Sequence, residues 1–223
     1  MKKIITLLLA VIMTLSLVAC GDETKNEAVS DKETAFDVAK EAYGKIDAAY
    51  EITEKFGSDV YNAWLAGIYD KDEVLDDGVG YLASELSLSE SEIIAGVELF
   101  LSEAGEETEM LTKSSANLYF KYMEESLFSF CIVIVSLSYE ANGKIEEAQT
   151  ALDSAKNSMK KMSEKYSDYE HYPKLKEYYT STKAFLDFCK EPNCSFEQAK
   201  TTINDYRNTI RNCVSDLDYI FED

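Results

Sequence analysis

Proline and histidine are nearly missing from this chain: two prolines and one histidine in 223 residues. Glycine is scarce too, at nine. So few turn formers exclude an all-β fold built on tight turns, and they argue against disorder. No glycine-rich phosphate loop occurs, neither GxGxxG nor GxxxxGK followed by Ser or Thr. The lone His171 removes most hydrolytic machinery. A Ser-His-Asp triad would have to use this one residue, in the loop before Pro173. A di-iron bundle needs Glu-x-x-His on two helices, and only Asp168-x-x-His171 is present. Basic residues are also short, 22 Lys and Arg against 42 Asp and Glu, for a formal charge of -20. Such a surface repels nucleic acid and anionic headgroups. The expectation is a protein with no nucleic-acid partner, no cofactor, no metal and no enzymatic activity.

Apolar residues are plentiful, at 46%. They fall with helical periods. Ala35, Ala39, Ala42, Ile46, Ala49, Thr53, Phe56, Val60 and Ala63 alternate steps of four and three, a heptad seam. Beside it runs a row seven apart: Phe36, Tyr43, Tyr50, Gly57, Trp64. Ser30-x-x-Glu33 is a capping box that would open this helix, and Gly57-Ser58 is a place where it could kink. The acidic stretch Asp70–Gly80 reads as a turn and a short helix. It fails the calcium-loop pattern, with Val74 and Leu75 where an acid and a glycine are needed. Ser89-x-x-Glu92 caps a second helix, which Gly105 ends.

Glu106 to Ala141 reads as one long helix. Its second half, LFSFCIVIVSL at Leu127–Leu137, is apolar on all sides, which predicts the central helix of a bundle. A buried strand is the alternative there, given the β-branched run Ile132–Val135. Asn142-Gly143 stops it, and the next helix starts at once with Ile145, Ala148 and Leu152. So short a link predicts antiparallel neighbours. Pro173 opens the next helix, Glu191-Pro192-Asn193 breaks it, and Ser195-x-x-Gln198 caps the last. The fold class expected is all-α. The architecture is an elongated antiparallel helical bundle of four to five long helices, with one or two short inserted helices, in one domain over residues 30–223.

The first nineteen residues are different. Lys2 and Lys3 precede an apolar run from Ile4 to Leu17. At about 16 apolar residues the run is shorter than a comfortable membrane span, which needs about 20, and it has the layout of an export signal. Leu17-Val18-Ala19-Cys20 closes it. This run resembles the lipobox of bacterial lipoproteins. The resemblance implies a signal peptide over residues 1–19, lipid attachment at Cys20, and a short polar tether over residues 20–29. It covers only these residues. It implies anchoring on the outer face of the bacterial cytoplasmic membrane, where two or more acyl chains hold stably.

Two further sets of residues are candidates for chemistry. Cys189 and Cys194 bracket a four-residue link, within plausible reach of a disulfide in an exported protein. Cys131 and Cys213 fall at core positions. Tyr43, Tyr50, Trp64 and Tyr122 are the candidates for an aromatic ligand groove, although core packing explains most tyrosines. The functional expectation is a non-catalytic interaction or scaffold module with a protein partner at the cell surface. The alternative is a lipoprotein that binds a small solute in an aromatic groove.

Overall fold

The computed structural model describes residues 34–106 and 110–221. The signal segment, Cys20, the tether and the Ser30–Glu33 capping box lie outside the described residues. The helices belong to one compact unit, Glu33–Asp223. They are α1 Ala35–Tyr69, α2 Lys71–Glu85, α3 Glu90–Glu103, α4 Lys113–Tyr122, α5 Leu127–Ala141, α6 Lys144–Lys165, α7 Tyr172–Lys190 and α8 Phe196–Phe221. A 3-10 turn, Glu124–Ser126, separates α4 from α5. The described residues form an all-α helical bundle and contain no strand.

Helix α1 is the hub. It starts in a capping box in which Thr34 and Asp37 satisfy each other's backbone amides, at 3.2 and 3.0 Å. It packs against α2, α5, α6, α7 and α8. Its seam is alanine-rich, and Ala39, Ala42, Ala49 and Ala63 are fully buried. Small side chains let neighbouring backbones come close. Gly57 does not break the helix. A Cβ there would sit 2.3 Å from the Phe185 ring, so the glycine is the notch that seats α7.

Contacts along α1 set the topology. Phe128 lies against Gly67, and Tyr139 meets Phe56 and Asp59. Farther down, α6 Ser158 hydrogen-bonds Glu41. Helices α5 and α6 therefore lie end to end and run down α1 as one broken rod. They are not the antiparallel pair that the short link predicts. The chain bends by 64° between them, with Gly143 at a φ of 77°. A single left-handed residue redirects a chain without reversing it. Helix α7 then runs up α1, from Tyr178 at Asp47 to Phe185 at Gly57. Helix α8 returns, from Phe196 at Tyr61 to Asp218 at Tyr43. The plan is up-down-up-down, with α2, α3 and α4 inserted at the upper end of α1.

Other expectations are corrected. The long helix over Glu106 to Ala141 is broken, because Met123 (ψ 19°) and Ser126 (ψ 26°) leave helical geometry. The break lets α4 and α5 follow different partners. Phe120 of α4 sits on Gly78 of α2, while Phe128 of α5 sits on Gly67 of α1. Met110, Leu118 and Tyr122 are exposed. Helix α5 is helical throughout, so the strand alternative falls. Nor is α5 central. It packs between α1 and α3 and leaves one apolar stripe bare. Among the described residues no single helix is long and apolar enough to cross a membrane.

Candidate functional site

The bare stripe of α5 is the wall of a groove. Phe128, Ile132, Ser136 and Glu140 are spaced four apart, with Ser129 and Val133 beside them; Ile132 is buried, so the open apolar surface is that of Phe128 and Val133. Phe128 is 44% exposed and Val133 40%, on a helix otherwise largely buried. The facing wall is the link from α7 to α8, Lys190 to Cys194. Ser136 ties the walls together by donating to the Lys190 carbonyl at 3.0 Å. Glu103 at the end of α3 and Ile145 at the start of α6 complete the rim. Trp64 is the floor, 2% exposed, with the Phe196 ring edge-on at 6.4 Å. The half-open cavity has a volume of about 740 Å³.

Its polar groups carry mostly one sign. Glu103, Glu140 and Glu191 are exposed carboxylates on the rim, against the ammonium of Lys190. Helices α3 and α7 bring their negative C-terminal dipole ends here and α6 its positive N-terminal end beside Ile145, so the carboxylates set the sign. Cys194 is half-buried in the wall, and burial raises its thiol pKa above the ordinary 9.0. A thiol so placed is poorly nucleophilic. The groove can therefore hold an apolar body with a positive charge at its edge.

The residues named from sequence do not converge here. Of Tyr43, Tyr50, Trp64 and Tyr122, only Trp64 lines the groove. Tyr43 and Tyr50 pack on Tyr178, at 5.9 and 6.1 Å between ring centroids. Tyr43 donates to Asp218, and Tyr178 donates to Asp47 at 2.9 Å. These rings tie α1 to α7 and α8. Burial raises the Asp47 carboxyl above its usual range. Tyr122 is 75% exposed on α4, against Tyr119. The separation has a simple cause. Tyr43 and Trp64 are three heptads apart on a straight helix, hence about 30 Å along it and about 60° around it. Cys131, Cys189, Cys194 and Cys213 are free thiols in this structure. Cys189 is fully buried near Gly57, next in sequence to Lys190 of the groove wall.

A second polar site was hidden from sequence reasoning. Asp59 is 2% exposed in the α1 core. Both its oxygens accept from the Ser87 amide at 3.1 Å, and Oδ2 also accepts from the Tyr139 hydroxyl at 2.9 Å. It fixes the α2–α3 turn and α5 to α1. Burial raises its carboxyl above the ordinary 3.8. Above that value the native state keeps a proton that the unfolded chain has released, so this group's contribution to stability falls as pH rises. Asparagine at 59 cannot titrate. The stability deficit of Asp59→Asn relative to the parent is expected to be largest near pH ~3 and to shrink toward pH ~7. Urea melts at both pH values check this, and a pH-independent deficit would refute it.

His171 sits at the start of α7 with Nε2 3.2 Å from Glu170. Asp77, in the stretch examined for calcium, instead binds Lys113 and Asn117 at 2.8 and 2.7 Å. Among the described residues no group of three or more His, Cys, Asp or Glu side chains is arranged to hold a metal. No family model, no curated protein and no solved structure matches this chain.

Proposed function

We propose that this protein is a non-catalytic, lipid-anchored interaction module on the outer face of a bacterial cytoplasmic membrane, and that the α5 groove is its recognition surface. The observation that carries this reading is the solvent-open apolar stripe, with Phe128 and Val133 exposed over a buried Trp64. Aromatic side chains such as Phe128 are enriched in interaction surfaces. The lipobox-like run ending at Cys20 supports the anchor. Placement supports the reading too. The described chain enters the bundle at Thr34, about 45 Å by helix rise from Trp64, so the groove and the tethered end of α1 lie far apart.

In-cell crosslinking of the native lipoprotein, followed by identification of co-purified protein, tests this. One protein is expected at near-equal amount. Phe128→Glu, at an exposed position, should fold normally and lose that protein by ~10-fold or more, the effect of removing a single aromatic anchor. Full recovery with Phe128→Glu would sink the groove as the recognition surface. Cys20→Ala should be released into the soluble fraction, and its retention on the membrane would sink the anchor. The small-solute reading draws on the cavity volume, since ligand sites run about 300–1,000 Å³. It gains if no protein is recovered and a low-mass extract raises the melting temperature of the parent but not of Phe128→Glu.

A further inference from the structure

We infer that the lower end of the bundle is a contact surface for the anionic headgroups of the membrane that carries the anchor, so that α1 stands upright on that membrane. This rests on the lipid-anchor reading and adds to it the orientation of the domain. The observation that carries it is a division of charge along α1. The contacts between helices fix which residues share a level: Tyr178 meets Asp47, Ser158 meets Glu41 and Asp218 meets Tyr43. Below the level of Tyr50, residues 34–50, 149–178 and 209–221 hold nine Lys and Arg against ten Asp and Glu, a formal charge of -1. Above it, residues 51–106, 110–148 and 179–208 hold nine Lys and Arg against 23 Asp and Glu, a formal charge of -14. Among the described residues, nearly all of the excess acid lies in the upper part.

The chain's link to the anchor enters at this same lower end. Thirteen residues separate Cys20 from Thr34, a stretch that a flexible chain spans at about 20 Å on average. A tether this short keeps the domain at the surface without orienting it. Charge orients it. Laid flat, the bundle would bring its -14 part within the Debye length of an anionic surface, about 8–10 Å. Standing, it holds that part away, since the level of Tyr50 is about 24 Å above Thr34 by helix rise. Only the near-neutral end then meets the negative surface potential. The side chains at this end match a headgroup layer. Lys40, Lys165 and Lys176 are exposed and in no ion pair among the described residues. Phe36 is 41% exposed, with the Lys40 ammonium 5.9 Å from its ring centroid. Aromatic rings gather at membrane interfaces, and lysines reach from there to the headgroups.

The test places the native lipoprotein in vesicles of phosphatidylglycerol and phosphatidylcholine that carry a quencher on their headgroups. A fluorophore is attached at Ser167→Cys, in the exposed α6–α7 link at the lower end, or at Tyr122→Cys, exposed on α4 at the upper end. Both variants also carry Cys194→Ser, because Cys131, Cys189 and Cys213 are buried and do not compete for the label. Quenching at position 167 is expected to exceed quenching at position 122 by about fivefold or more. That ratio should fall by about threefold or more in phosphatidylcholine alone, in high salt, and in the double variant Lys165→Glu, Lys176→Glu. The double variant changes exposed side chains only, and its melting temperature confirms that it folds. Equal quenching at the two positions would overturn the inference and leave the anchor standing. A ratio indifferent to lipid charge, salt and the double variant would also overturn it, because the tether alone would then account for the difference. Protein that fails to float with the vesicles would overturn the anchor, and the inference with it.

Discussion

Valine at Gly96 is expected to cost about 3 kcal/mol of stability or more, at the upper end of overpacking effects. Gly96 lies on α3 where it crosses α5. A Cβ added there would sit 2.3 Å from the Ser138 hydroxyl, 2.7 Å from the Ile134 carbonyl oxygen and 2.9 Å from the Ser138 amide nitrogen. The hydroxyl could rotate away, but the other two atoms belong to the α5 backbone and cannot. Valine adds two methyl groups beyond that Cβ. The gain in helix propensity on replacing glycine is about 1 kcal/mol at most, too small to offset the clash. Thermal unfolding followed by far-UV circular dichroism should show a drop of roughly 6–12 °C or more. Gly96→Ala should fall part-way. Adding Ser138→Ala to it should recover only a fraction, because both backbone contacts remain. A melting temperature within about 2 °C of the parent would mean that the two backbones do not approach here.

Trp64→Ala is expected to cost about 3–5 kcal/mol, the usual loss for a large buried aromatic. The indole is 2% exposed and packs under Phe196, which in turn stacks on Tyr61 at 5.7 Å. Removing it takes the floor from the groove and loosens α8 from α1. Trp64 is the chain's one tryptophan, so circular dichroism rather than fluorescence must follow the melt. Trp64→Phe should retain much of the stability. A loss below about 1 kcal/mol for the alanine variant would fall outside the range for a packed aromatic and would contradict its place in the core.

The comparison of pattern with structure divides along physical lines. The α1 seam was legible because burial repeats every three and four residues, and every seam position from Ala39 to Ala63 is buried. Ala148 and Leu152 of α6 are buried likewise. Asp59 was not legible. A charged residue in a helix reads as exposed, and its partners Ser87 and Tyr139 are 28 and 80 positions away in sequence. The break before α5 was equally silent, since no proline or glycine marks Met123 to Ser126. It exists because α4 and α5 dock on different helices. The groove was the least visible feature. The sequence LFSFCIVIVSL looks alike on every face, and only the positions of α1 and α3 decide which stripe stays bare. Trp64 entered the candidate list for its ring, but its role as floor depends on the α7–α8 link, far along the chain.

The central place of α1 also has a consequence for assembly. It is the first of the described helices to be synthesised and the last to be fully covered. Its lower end is closed by α8, where Phe36 and Tyr43 meet Phe221 at 5.6 and 5.3 Å. Until Phe221 arrives, Phe36 and Tyr43 lack one of their ring partners. Contacts this distant in sequence slow folding, because a long loop must close before any of them can form. A polypeptide stopped short of α8 would leave the Phe36 and Tyr43 rings without Phe221.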